Sequence, residues 1–189
     1  MRTFYFLYFL TVLLENKKNA TIKKMNSHLF YDRQEAGGIL AQKLLPFKNQ
    51  NPVVLAIPRG GVVIGKVVSN TLRCPLSVIL VKKIGSPFNP ECAIGAVGPD
   101  GQVFLEETMA TDPQEISRIQ KQISERKKEW GVGEIPDLQN KTVIIVDDGI
   151  ATGATMAAAL LWVKSQKPQM IVTAVPCSLI TDSYNLPRL

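Results

Sequence analysis

The sequence predicts an α/β fold built on a doubly wound, mainly parallel sheet, and three observations predict it. Short runs of largely branched aliphatic residues recur at Val53 to Ile57, Leu76 to Val81, Val143 to Val146 and Met170 to Val175. Each has the length and composition of a strand buried on both faces. Two of the runs pass through loops of small residues into apolar helical stretches, Pro58-Arg59-Gly60-Gly61 before 62–72 and Ala151 to Thr155 before 156–163. Such strand-loop-helix alternation is the pattern of a parallel sheet. Finally, Val143 to Val146 stops at Asp147 and Asp148. Two carboxylates inside a buried strand would carry a large desolvation cost, so they belong at its C-terminal edge, where open α/β sheets bind ligands.

Composition narrows the chemistry. With 189 residues, 46% hydrophobic and 20% charged, the chain is the size of one domain with a real core. Cys74, Cys92 and Cys177 are odd in number and far apart, and read as free thiols in a reducing compartment. The single histidine, His28, lies in a polar stretch and reads as solvated, so Ser-His-Asp, Cys-His and histidine-metal chemistry lack their parts. Residues 1–24 carry five basic groups against Glu15, a net +4 of the total +6, and leave only +2 on the remainder. A nearly neutral domain without a basic stripe argues against nucleic acid as a partner.

Taken in order, Phe4 to Leu14 is an apolar run too short for a transmembrane helix, which needs about 20 apolar residues, and no Ala-x-Ala-like site follows it. An uncleaved anchor, an interfacial segment and residues ahead of a true start at Met25 are the three readings. The last is preferred, which sets residues 1–24 apart as an extension, places the domain at 25–176 and predicts no stable membrane insertion. Asp32 and Glu35 form a capping pair ahead of Ala36, Ile39, Leu40, Leu44 and Leu45 at helical spacing, although Gly37 and Gly38 weaken that helix. After 53–57, adjacent glycines allow close approach of the main chain, and Arg59 brings a planar fork of donors suited to phosphate. The strand 76–81 leads through Lys82-Lys83-Ile84-Gly85-Ser86-Pro87 into a loop with its tip at Asn89-Pro90-Glu91.

Ala93 to Val97 and Gln102 to Leu105 flank the turn Pro99-Asp100-Gly101 and are expected to pair as a hairpin. Asp112-Pro113 with Glu115 starts a helix that lays Ile116, Ile119, Ile123 and Trp130 on one stripe, its basic face solvated. Residues 131–140 return as a loop, and Lys167-Pro168 ends the helix that follows Thr155. Residues 177–189 show no periodicity and read as an irregular tail.

The chemistry concentrates between Val143 and Thr155. Ala151-Thr152-Gly153-Ala154-Thr155 lets backbone N–H groups point at one centre ahead of a helix, an anion cradle suited to phosphate. With two carboxylates a few residues away, one ligand should offer a phosphate and vicinal hydroxyls, as ribose 5-phosphate does.

These residues resemble the phosphoribosyl pyrophosphate (PRPP) signature of the type I phosphoribosyltransferases, and the whole text looks most like a small bacterial group provisionally named as such enzymes. The resemblance implies that Asp147 and Asp148 hold the ribose hydroxyls and meet Mg2+, directly or through water. It implies that Ala151, Thr152, Gly153, Ala154 and Thr155 wrap the 5-phosphate. Pro58 to Gly61 resembles the pyrophosphate loop, with Arg59, Gly60 and Gly61 at the leaving group and an often cis, non-proline peptide bond. Lys82 and Lys83 fall at the base of the family's mobile loop, Lys83 being the preferred catalytic cation. Phe30, Tyr31 and Arg33 fall in the segment that forms a hood over the acceptor. The implied reaction joins PRPP to a small nitrogenous acceptor in the cytoplasm, with a homodimer allowed for. Members specific for 6-oxopurines carry an aspartate where this chain has Ala151, which argues against those bases. A PRPP- or nucleotide-binding regulator without turnover is the rival reading. The resemblance covers about residues 26–176, and the family's further strand is missing after Val175, which implies a C-terminally shortened fold with an exposed sheet edge.

Overall fold

The computed structural model describes residues 7–11, 30–85, 93–105, 112–151 and 153–177. Its main sheet has five strands in the order β1-β8-β7-β2-β3, every neighbouring pair parallel. They are β1 (Leu7–Thr11), β2 (Pro52–Ala56), β3 (Leu76–Val78), β7 (Thr142–Val146) and β8 (Met170–Val175). Register places Val53 beside Val143 and Leu55 beside Ile145, so alternate residues feed opposite faces. On one face Val53, Leu55, Val143 and Ile145 pack with Met156, Leu160 and Val163 of helix α4 (Ala154–Ser165). On the other, Val54, Ile144, Val146 and Val172 meet α1 (Arg33–Leu44) and α2 (Gly60–Leu72) through Leu40, Leu44, Ile64 and Val68. Two-sided burial is what the unbroken apolar runs predicted, and each such side chain contributes about 1.5–3 kcal/mol relative to exposure.

α1 forms despite its two glycines. A Cβ at Gly37 would lie 3.0 Å from the Val67 Cβ, so this glycine lets α1 approach α2, whereas nothing lies within 4 Å at Gly38. The Asp32 carboxylate caps α1 by accepting from the amides of Gln34 and Glu35, both at 2.8 Å. Replacing Asp32 by alanine should cost about 1 kcal/mol and lower the melting temperature by roughly 2–4 °C, measurable by thermal circular dichroism.

A second, antiparallel sheet holds β4 (Lys82–Gly85), β5 (Ala93–Val97) and β6 (Val103–Leu105) in that order. The β5–β6 hairpin turns through Pro99, Asp100 and Gly101 as expected, and it docks on α4, where the Trp162 indole N–H donates to Asp100 Oδ2 at 3.2 Å. The run 76–81 is not one strand. β3 ends at Val78 because Ile79 is buried with the main sheet while Leu80 joins a third cluster with Ile84, Ile94 and Val97. That cluster is closed by Ile119 and Ile123 of α3 (Pro113–Glu129), the helix that Asp112 and Pro113 announced. Trp130 leaves the predicted stripe: it stands at the helix C-cap, 40% exposed, with the Arg126 guanidinium 5.8 Å from its ring centre.

Sequence reading set residues 1–24 outside the domain and expected β8 to present a bare edge. Instead, β1 lies along β8, with Leu7 opposite Ile171 and Thr11 opposite Val175. No helix among the described residues is long and apolar enough to cross a membrane.

Candidate active site

The C-terminal ends of β7 and β2 bring the predicted residues together. β7 delivers Asp147 and Asp148 to the sheet edge, where the Asp148 amide donates to Asp147 Oδ1 at 2.8 Å. Burial is the main force that pushes the Asp147 carboxyl up to about 7; that amide opposes the rise and the neighbouring Asp148 charge adds to it. Asp148 is less enclosed. Its Oδ2 accepts both Arg33 Nε at 2.9 Å and Arg33 Nη2 at 2.7 Å.

β2 delivers the second loop against this pair. The Pro58–Arg59 peptide bond is cis, matching what the pyrophosphate-loop resemblance implied, and Arg59 is exposed at the N-cap of α2. Gly60 and Gly61 are glycines for lack of room. A Cβ on Gly60 would sit 1.7 Å from Asp148 Oδ2, and one on Gly61 would sit 2.7 Å from the Val146 carbonyl oxygen and 2.9 Å from Asp147 Cα. The glycine loop therefore lies directly on the acid pair, with the N-terminus of α2 beside the Asp148 carboxylate.

Where the sequence predicted a cradle, a cavity of about 190 Å³ is lined by Asp147, Ile150, Ala151, Gly153, Ala154 and Thr155, among others. Gly153 caps α4 at φ 78°, a left-handed conformation that favours glycine. The first amides of a helix have no partner within it, so those of the opening turn are oriented to meet an anion. Thr152 lies outside the described residues. Beneath the loop, the Ile150 amide donates to the Cys177 carbonyl at 3.1 Å and the Cys177 thiol to the Asp148 carbonyl at 3.4 Å. Burial, then the two aspartates, pushes the Cys177 thiol up, so it braces the loop as a neutral group.

The lysine pair is divided by strand alternation. Lys82 and Lys83 begin β4, opposite Val97 and Ala96, and so face opposite sides. Lys82 lines a cavity of about 250 Å³ that also touches Pro58, Gln122, Arg126, Trp130 and Thr155; Lys83 does not line it. The Lys82 ammonium donates to the Gln122 side chain, and burial, then the charges of Arg126 and Arg118, pull its pKa down. The loop tip, Asn89 to Glu91, lies outside the described residues.

The proposed hood residues separate. Phe30 packs on the core beside α1 and α2, Tyr31 is 93% exposed, and Arg33 turns to the acid pair. Sequence reasoning gave Arg33 no link to Asp148, since 115 positions separate them. It also gave no role to Gln122, Arg126 or Cys177, for which no local signal exists. Among the described residues no group of three or more His, Cys, Asp and Glu side chains could hold a metal alone. Two adjacent carboxylates beside the N-terminus of α4 nevertheless have the donor chemistry of a Mg2+ site, since Mg2+ takes one or two protein carboxylates and completes its shell with water and substrate phosphate.

The sequence pattern of the phosphoribosyl transferase domain matches residues 30–184. Two curated proteins from two strains of Mycobacterium tuberculosis, both provisionally named phosphoribosyl transferases, are each 38% identical over 160 residues. The match takes in 78% of this chain and 35% of theirs, so the chain spans about a third of the length of these relatives. The crystal structure of TT1426 from Thermus thermophilus superposes with a TM-score of 0.71 at 39% identity, covering 79% of this chain and 75% of that one. The extent of the domain match and the level of identity agree with the acid pair, cradle and glycine loop: the chain belongs to the phosphoribosyl transferase domain family, with the type I fold.

Proposed function

We propose that this chain transfers ribose 5-phosphate from PRPP to a nitrogen of a small acceptor and releases pyrophosphate. The observation that carries the reading is convergence: Asp147 lines the phosphate cradle while Gly60 and Gly61 press on the same acid pair. One ligand laid across these elements would meet phosphate donors, hydroxyl acceptors and a backbone loop in the order that PRPP presents its 5-phosphate, ribose and pyrophosphate.

In this arrangement Thr152, Thr155 and the amides at 151–155 hold the 5-phosphate. Asp147 and Asp148 accept from the ribose hydroxyls and offset the positive charge that builds on the sugar as the bond to pyrophosphate loosens. Arg59 and the amides of Gly60 and Gly61 stabilise the leaving group. Lys82 adds a cation from the side of α3, and Lys83 remains a candidate through the hairpin that carries both. Asp147 and Asp148 would hold Mg2+, directly or through water; when bound, it neutralises phosphate charge. Ala151 offers no carboxylate beside the cradle, so the acceptor is a base other than a 6-oxopurine, or another amine. The setting is cytoplasmic, where PRPP is met, and a homodimer is compatible with the reading.

Calorimetric titration of PRPP with and without magnesium tests this. Magnesium-dependent binding, with pyrophosphate release when bases are screened, is the expected result. Binding without release in a broad screen would favour the regulator, and no binding by a folded protein would overturn both.

A further inference from the structure

We propose that Arg33 is a positioning residue for the ribose site, holding the Asp148 carboxylate in the orientation that receives PRPP. The inference rests on the PRPP reading above and assigns a role to a side chain that reading does not use.

Two guanidinium N–H groups, Nε and Nη2, converge on one oxygen, Asp148 Oδ2, at 2.9 and 2.7 Å. That oxygen is also the atom packed over Gly60. Contact on one side and a double donation on the other restrain the rotation of the carboxylate, and both guanidinium bonds fall on Oδ2 rather than Oδ1. A carboxylate so held turns the oxygen that Arg33 does not engage, Oδ1, toward incoming hydroxyls, with its orientation set before the ligand arrives. Without Arg33, Asp148 would turn freely beside the Asp147 carboxyl and part of the binding free energy would go to ordering it.

Fold stability does not account for this pair. The Arg33 side chain is 59% exposed and that of Asp148 34% exposed, and exposed ion pairs contribute little. Arg33 also stands in the first turn of α1, where a cation is unfavourable to the helix dipole. The packing of α1 on α2 through Gly37, and the start of α2 at Gly60, are what bring this arginine over the acid pair.

The test is PRPP binding in saturating magnesium for wild type, Arg33→Ala, Arg33→Lys, Asp148→Asn and the Arg33→Ala/Asp148→Asn double variant. Arg33→Ala is expected to weaken binding about tenfold with the melting temperature within about 2 °C of wild type, and Arg33→Lys to recover part of the loss. Because Arg33 acts through Asp148, the double variant should bind no more weakly than Asp148→Asn alone. Unchanged or tighter binding by Arg33→Ala would overturn the inference, the latter making the pair a latch. Additive losses would overturn it too, since Arg33 would then touch the ligand itself. Each of these leaves the PRPP reading standing, whereas failure of folded wild type to bind PRPP removes both.

Discussion

Alanine at Gly60 is expected to weaken PRPP binding roughly 100-fold while barely moving the melting temperature, and alanine at Gly61 is expected to damage the fold first. The two glycines are adjacent, yet their missing side chains would strike different things. At Gly60 the obstruction is the Asp148 side chain, with Oδ2 1.7 Å and Cγ 2.2 Å from the position an alanine methyl would take. Rotation about the Cα–Cβ bond carries Oδ2 and Cγ away and leaves only the Cβ, at 2.9 Å, to be relieved by a small shift, so most of the relief is available at the expense of the proposed ribose contact and of the Arg33 pair. Hydrogen bonds to charged groups are worth about 1.5–3 kcal/mol, which converts to roughly 10–100-fold in affinity. The upper end applies because one methyl displaces both the acceptor and the residue that orients it. Stability should change little, since the lost ion pair is exposed and alanine favours the start of α2 over glycine. At Gly61 the obstruction is main chain, the Val146 carbonyl oxygen and Asp147 Cα. Neither can rotate aside, so α2 and β7 must part, at about 1–3 kcal/mol and several degrees of melting temperature. Calorimetry and thermal melts on both variants separate the cases. Full affinity in Gly60→Ala would mean that Asp148 is not a ribose ligand.

The sequence made legible whatever is decided by neighbours. Val143 to Val146 had to be a buried strand because it is apolar on both alternations, and the acids after it had to stand at its edge, where the structure has them. Asp112 and Pro113 fixed the start of α3 by local capping chemistry. What depends on distant packing was hidden. Nothing in the run 76–81 announces that Ile79 and Leu80 enter different cores, so β4 was missed and with it the alternation that separates Lys82 from Lys83. Gly37 read as a weakness in α1 because its partners, Val67 and Ile64, belong to another helix. Arg33 meets Asp148 only after α1, α2 and β7 have assembled.

Replacing Asp147 by asparagine is expected to stabilise the protein above neutral pH while removing PRPP binding. In the folded protein the Asp147 carboxyl is raised from 3.8 to about 7, mainly by burial. Between those values the native state keeps a proton that the unfolded chain has released. Unfolding free energy therefore falls as pH rises through this window and levels off above about 7. The full shift would correspond to about 4 kcal/mol, and partial contact with solvent reduces the realised effect to about 1–3 kcal/mol. Asparagine resembles the protonated acid and carries no such burden, so Asp147→Asn should exceed wild type by that amount at pH 8 and by little near pH 4. Urea unfolding at the two values reads the difference directly. Magnesium and PRPP together should raise the wild-type melting temperature at pH 8 and leave that of the variant unmoved, because only a native state that binds the ligand is stabilised by it. A pH-independent gap between the two proteins would mean that Asp147 ionises in the fold without cost. If the gap tracks pH, the destabilised carboxylate is the property that the site retains for its ligand, the trade of stability for activity expected of a functional residue.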